Sequence, residues 1–141
     1  LEEQYDNFKN QFEKVVSETI DSNLLTPEIT IDGRMDFKDI KPKLMRILKQ
    51  MAPFGPGNMT PVFMAENLRD TGYAKGVGQE EKHLKLSATQ DGSSPIGGIG
   101  FNLGDKLSLV KNRRSFDAVF SLDENEWQGN VSMQLKLRDI R

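Results

Sequence analysis

Ala52-Pro53-Phe54-Gly55-Pro56-Gly57-Asn58-Met59-Thr60-Pro61-Val62-Phe63 separates two kinds of pattern in this chain. Helical periodicity precedes it, and short strand-like runs follow it. Three prolines and two glycines fall between Pro53 and Val62. Such a segment cannot continue a helix or sit inside a paired strand. Each proline also biases the residue before it towards extended geometry. With Phe54 and Phe63 available to pin its ends, the segment reads as a rigid, shaped joint; a flexible linker would be rich in Ser and Gly and poor in aromatics.

On the N-terminal side, Tyr5, Phe8, Phe12, Val15, Val16 and Ile20 recur at helical spacing. They predict an amphipathic helix of about five turns whose acidic start suits the helix dipole. The aromatic stripe is read as core or interdomain packing rather than a cofactor box. Asp21-Ser22-Asn23 ends this helix, and Glu28–Asp32 alternates like a short strand. Phe37, Ile40, Leu44, Ile47, Leu48 and Met51 set up a second helix, with Asp39 at or near its N-cap and Pro42 in its first turn.

Beyond the joint the period changes to two. Strands are expected at Pro61–Glu66, with Thr71–Gly76 as a continuation across a bend, then at His83–Thr89, Ile96–Phe101, Phe116–Leu122 and Val131–Ile140. Gly104–Asn112 is expected to be a short helix and Asp123–Gly129 a hairpin loop. In His83–Thr89 the alternation puts Leu84, Leu86 and Ala88 inward and His83, Lys85, Ser87 and Thr89 outward. The order strand-strand-strand-helix-strand-strand is that of a five-stranded OB-type barrel. The expected fold is therefore mainly β, an OB-type barrel over residues 61–141, with a helical connector region over 1–60 that carries a short strand and the joint. An open α+β sheet is the competing architecture.

Composition bounds the function. The 141 residues suit one domain with a helical extension, and 36% hydrophobic with 28% charged residues is polar for a compact globule. No stretch approaches the ~20 apolar residues of a membrane span and no signal peptide is recognisable, so no membrane partner is expected. The absence of cysteine removes disulfides and thiolate chemistry, as suits a reducing cytoplasm. The chain opens without an initiator Met and reads as an excised piece of a longer protein. The net charge is −2, but residues 1–70 carry 9 basic against 12 acidic side chains and residues 71–141 carry 10 against 9. The second half is the better candidate to meet a polyanion.

Catalytic parts are scarce. One histidine and no cysteine leave zinc, Cys/His and Ser/His machinery without components. Asp123, Glu124 and Glu126 read as a solvated acidic turn rather than a cation site, because no defined ligand pattern accompanies them. Gly97-Gly98-Ile99-Gly100 lacks the rest of a phosphate loop and is better explained by a strand bend.

Binding offers more. Lys75, Lys82, His83, Lys85, Lys136 and Arg138 are expected on outward strand faces or in the loop between the first two strands. Arg113 and Arg114 flank the fourth strand. Tyr73 and Trp127 are candidate stacking surfaces. OB barrels bind strands across that sheet face, by tracking phosphates and stacking bases. The plain alternative is solvated charge, with His83 an ordinary surface imidazole and Trp127 folded back over the barrel beside an acidic run that would repel a phosphate backbone.

Leu25-Thr26-Pro27-Glu28-Ile29, Met51–Asn58 running into Pro61-Val62-Phe63, His83–Leu86, Phe101–Asp105 and Ser121–Trp127 through Gln134–Lys136 resemble the C-terminal region of the bacterial RecJ single-stranded-DNA-specific exonucleases. The resemblance covers nearly the whole chain. It implies a parent with a DHH phosphoesterase domain, a DHHA1 domain and an OB-fold domain, using manganese or magnesium to degrade single-stranded DNA from its 5′ end in repair and recombination. Residues 1–21 would then be the end of the DHHA1 side or its connection. Single-stranded DNA, the DHH and DHHA1 domains of the same chain, and a single-strand-binding protein are the partners it implies. Two departures matter. No Asp-His-His motif occurs, so this piece is expected to bind rather than hydrolyse, with no cofactor of its own; and Met59-Thr60 replaces the family's Pro-Glu pair. The alternative function is a structural or protein-interaction module packed on the nuclease core or on a partner.

Overall fold

The computed structural model describes residues 2–141, with the side chains of Glu2, Glu3 and Trp127 excepted. It contains two compact units, Leu1–Thr30 and Ile31–Arg141.

The first unit is built on α1 (Glu2–Thr19). Its apolar residues line one face as the spacing predicts, and Phe8 stacks on Phe12 with centroids 5.9 Å apart. Tyr5, Phe8, Phe12 and Val15 are exposed. A 3-10 turn at Ser22–Leu25 follows, its start capped by the Asp21 carboxylate, which accepts the Asn23 amide at 3.0 Å.

The second unit carries seven strands: β1 (Gly33–Arg34), β2 (Phe63–Asp70), β3 (Lys75–Val77), β4 (His83–Thr89), β5 (Ile96–Gly100), β6 (Ser115–Trp127) and β7 (Asn130–Ile140). Their order is β1-β2-β6-β7-β5-β4-β3, and a further β2–β4 pairing joins the ends of the central five. The five expected strands thus form an OB-like ring, less regular than an ideal barrel. Within it β5–β7 is the one parallel pairing, and every other pair is antiparallel. The two added strands are short: β1 runs parallel to the start of β2, and β3 lies antiparallel on β4.

Alternation predicts the core of β4 and of the second half of β7, whereas Val131, on the same face as Leu135 and Leu137, is exposed. Leu84, Leu86 and Ala88 of β4, Leu135 and Leu137 of β7, and Phe116, Ala118 and Phe120 of β6 are buried inside. Burying each large side chain contributes about 1.5–3 kcal/mol. Gly98 on β5 faces this interior, where a Cβ would lie 3.1 Å from Leu86 Cδ1 and 3.4 Å from Leu135 Cβ. The glycine-dense strand therefore makes room for the protein's own leucines. Val110 on α3 (Leu107–Val110), between β5 and β6, is fully buried in the same core.

Several sequence expectations need correction. Thr71–Gly76 does not continue the first strand: β2 ends at Asp70, Gly72 turns the chain at φ +100°, and β3 (Lys75–Val77) pairs with β4 instead. The second helix is split into a 3-10 turn at Phe37–Asp39 and α2 at Pro42–Met51. Pro42 holds Lys41 extended (φ −119°, ψ 159°), so the helix begins at Pro42 rather than near Asp39. Glu28–Asp32 is not a strand; ladder pairing starts only where Asp32 N–H meets Val62 O at 2.8 Å and Gly33 faces Phe63. Asp123–Gly129 is not a loop either. β6 runs on to Trp127, and Gln128 and Gly129 alone turn the chain, both at positive φ. Finally, Gly104–Asn112 is only one α-turn between two 3-10 turns.

The expected division at 60/61 falls inside the second unit. Phe37, Ile40, Met45 and Leu48 belong to the same core cluster as the ring, with Phe37 edge-on to Phe120. Gln90 ties this segment to the sheet, accepting the Phe37 amide at 2.8 Å while donating to Glu66 O at 2.8 Å. Within the joint, Gly55 and Asn58 exchange two backbone hydrogen bonds of 2.9 Å around Pro56-Gly57.

Candidate nucleic-acid interface

Register decides which outward side chains become neighbours. Lys75 of β3 faces Lys85 of β4, Lys85 faces Ile99 of β5, and Ile99 faces Lys136 of β7. Side chains alternate along a strand, and Leu84, Leu86 and Leu135 point inward, so this row lies on the outer surface. Three expected cations are thereby aligned across four neighbouring strands. None of them has a carboxylate partner among the described residues. Unpaired lysines in a row form an electropositive track suited to a chain of phosphates.

The next outward row is small. Ser87 of β4 faces Gly97 of β5, and Gly97 faces Gln134 of β7. A Cβ on Gly97 would meet nothing within 4 Å. This strip gives a ligand backbone room to approach.

On the other side of the lysine row stands His83, half-buried and paired with Val77. It is not the freely solvated imidazole the sequence suggests: Nδ1 accepts the Asn102 amide at 3.1 Å. Phe101, 55% exposed, lies edge-on to it with ring centroids 5.2 Å apart. Tyr73 is also exposed, with Lys75 Nζ 5.0 Å from its ring centroid.

Of the expected site residues, the structure brings together Tyr73, Lys75, His83, Lys85 and Lys136. Lys82 is exposed next to His83, its carbonyl held by the Gly104 amide at 3.0 Å. Arg138 is exposed at a bulge, between the register pairs Phe120–Leu137 and Val119–Asp139. Arg113 and Arg114 stand apart, at the entry to β6 where Ser115 pairs with Arg69 of β2. Trp127 ends β6 opposite Asn130, and its side chain lies outside the described residues. Ile99, Gly97 and Phe101 went unrecognised as surface residues in the sequence. The signal was there in parity: Ile96, Gly98 and Gly100 point inward, which leaves Gly97, Ile99 and Phe101 outward.

The acidic run adds no cation site. Glu124 pairs with Lys49 of α2 at 2.7 Å, and no three carboxylate or imidazole side chains converge among the described residues. These residues do not fit the divalent metal that the family resemblance implies for a parent enzyme.

With this geometry established, comparisons place the chain. The family model described as RecJ OB domain matches residues 31–139, nearly the whole second unit. The single-stranded-DNA-specific exonuclease RecJ of Salmonella typhimurium is 27% identical over 143 residues, covering 99% of this chain and 24% of that protein. The RecJ of Escherichia coli gives the same figures. Among solved structures, RecJ of Thermus thermophilus in complex with Mn2+ matches with a TM-score of 0.69 and 21% identity, over 100% of this chain and 19% of that one. The last likeness is one of fold. The chain spans 24% of the length of the curated relatives it matches.

Proposed function

The chain belongs to the RecJ OB domain family, and from that membership we propose that its β3-β4-β5-β7 face binds single-stranded DNA for a RecJ-like exonuclease. One observation carries the reading: the registered row Lys75–Lys85–Ile99–Lys136. Its lysines track phosphates, while Tyr73 at one end offers a ring to a base. Single-stranded DNA suits this face because unpaired bases can stack on exposed rings, whereas in a duplex the base faces are already stacked on one another.

In this reading the chain grips substrate and does not hydrolyse it. Hydrolysis, and the manganese or magnesium it uses, reside in the parent's DHH and DHHA1 domains, acting 5′ to 3′ in repair and recombination. Tethering raises the local concentration of the strand at that active site. Residues 31–141 act as the binding domain, and α1 connects it to the parent. A second role, packing on the nuclease core or on a partner such as a single-strand-binding protein, is favoured by the exposed stripe of Tyr5, Phe8, Phe12 and Val15. No helix among the described residues is long and apolar enough to cross a membrane; a cytoplasmic site of action is part of the proposal.

The test is a titration of labelled single-stranded and duplex DNA at low salt. Tighter binding of single strands is expected, with Lys85→Glu and Lys136→Glu each weakening it by roughly tenfold or more. Equal affinity for single and double strands, or variants that bind like the parent chain, would remove the assignment.

A further inference from the structure

We propose that Phe101 is a nucleobase-stacking shelf at the His83 edge of this face, held in place by His83. The inference rests on the single-strand reading above and adds a residue that reading does not use.

Phe101 is a large apolar side chain left 55% exposed directly after β5. Ile99 is on the outer face, and Phe101 lies two residues further along the same backbone. The ring sits beside His83, which is itself outward because it alternates with the fully buried Leu84. It is therefore on the DNA-facing surface, about 7 Å along the strand direction from the lysine row. That separation lets a base reach the ring while its phosphate stays near Lys85 or Lys136.

The mounting is rigid. Asn102 turns the chain with φ +59°, a conformation Asn tolerates better than most residues. Its amide donates to His83 Nδ1 at 3.1 Å, which places the imidazole proton on Nε2 in the neutral ring. Behind the imidazole, Gly78 at φ +80° comes so close that a Cβ would lie 2.9 Å from His83 Cδ2. The imidazole is thus wedged between Gly78 and the Phe101–Asn102 turn, and its ring meets the phenyl at 71°. An edge-on histidine leaves a face of the phenyl ring free. A fixed, exposed aromatic face beside a phosphate track recognises any unpaired base, because every base has a π-face. The expected ligand is a single strand without sequence preference at this position.

The experiment compares an oligothymidylate with an abasic oligomer of equal length, using this chain as it stands. Phe101→Ala should weaken oligothymidylate binding by about 5- to 100-fold. It should leave abasic binding and the salt dependence unchanged, and Phe101→Trp should restore affinity. His83→Ala, which frees the turn, should produce a smaller loss confined to the base-bearing probe. Unchanged oligothymidylate binding by Phe101→Ala overturns the shelf, as does an equal loss on both probes. If Lys85→Glu still weakens both probes in that case, the single-strand reading survives without the shelf; if it weakens neither, both readings fall.

Discussion

Asp70 Oδ1 accepts the amide of Ser87 at 3.0 Å where β2 meets β4 and the ring of strands closes. The other oxygen, Oδ2, accepts the amides of Gly72 at 2.6 Å and Ala74 at 3.0 Å. One carboxylate, 4% exposed, thus satisfies three backbone donors at a seam with only two registered pairs, Arg69–Thr89 and Asp70–Ala88. Asp70→Asn keeps the size but points an NH2 group at donors that need an acceptor. A loss of about 2–3 kcal/mol is expected, since hydrogen bonds to a charged acceptor are the stronger kind and buried unpaired donors are costly. Urea unfolding measures it, and hydrogen exchange should show the loss of protection concentrated in β2 and β4.

The lysine row makes a quantitative claim about salt. For single strands, each neutralised phosphate contributes about 0.7 to the slope of log affinity against log salt. Lys75→Ala, Lys85→Ala and Lys136→Ala should each flatten that slope by about this amount. Arg113→Ala and Arg114→Ala, beside β2 and away from the row, should leave it unchanged. Titrations at several salt concentrations separate the two groups.

Gly97 tests the small strip beside the row. Because a Cβ there meets nothing within 4 Å, Gly97→Val should keep the fold, with stability changed by about 0.5 kcal/mol at most. Valine is also favoured in strands. Its methyl groups would nevertheless stand between Ser87 and Gln134, on the path proposed for the single strand. Binding should weaken by roughly tenfold with unfolding midpoints preserved. A strand that binds Gly97→Val as tightly as the parent chain does not cross this strip.

Much of this was legible locally, and the remainder depends on distant pairing. Leu84, Leu86 and Ala88 declare their face by alternation alone, and so do Leu135 and Leu137. Parity could also have exposed Ile99, but only pairing reveals that Lys75, Lys85 and Lys136 share its row, because register joins residues far apart in sequence. The same holds for Asp70, an unremarkable strand-end carboxylate until Ser87 is folded against it. Asp123 to Trp127 misled because acidic residues signal loops, whereas backbone pairing with Asn130–Gln134 carries that strand. Arg113 and Arg114 were placed by charge, and charge does not say on which side of a ring a residue falls.

Acid stability should carry a signature of Asp139. Partial burial pushes its carboxyl up, but hydrogen bonds from Lys106 and the Ile140 amide, together with the Lys106 charge, outweigh this and hold it below its ordinary 3.8. Lys106 also donates to Ile140 O at 3.0 Å, clamping the end of β7. A carboxyl lowered in the folded state stabilises fully above its unfolded value and loses that contribution as pH falls through the folded one. The side chain is 45% exposed, so solvent screening limits the effect to about 1 kcal/mol or less. Asp139→Asn should therefore be slightly less stable than the parent chain near neutrality. The gap should close below about pH 4, as read from urea midpoints across the range.

The joint that divides the sequence makes the last prediction, because its residues are not equivalent. Gly55-Pro56-Gly57-Asn58 forms a tight turn in which Gly57 takes φ +82°, as the third position of a type II turn requires. Asn58 Nδ2 then donates to Met51 O at 2.8 Å and Pro53 O at 2.9 Å, satisfying carbonyls at the end of α2. That helix supplies Met45 and Leu48 to the core, so the turn bears on the whole second unit. Gly57→Val forces a β-branched residue into the left-handed region and should cost about 1–3 kcal/mol. Asn58→Ala removes two exposed hydrogen bonds and should cost about 1–2 kcal/mol. Gly55 has no such φ, and a Cβ there meets nothing within 4 Å, so Gly55→Val should be close to neutral. Urea unfolding of the three variants gives the order directly; a loss at Gly55 equal to that at Gly57 would mean that the joint works through something other than this turn.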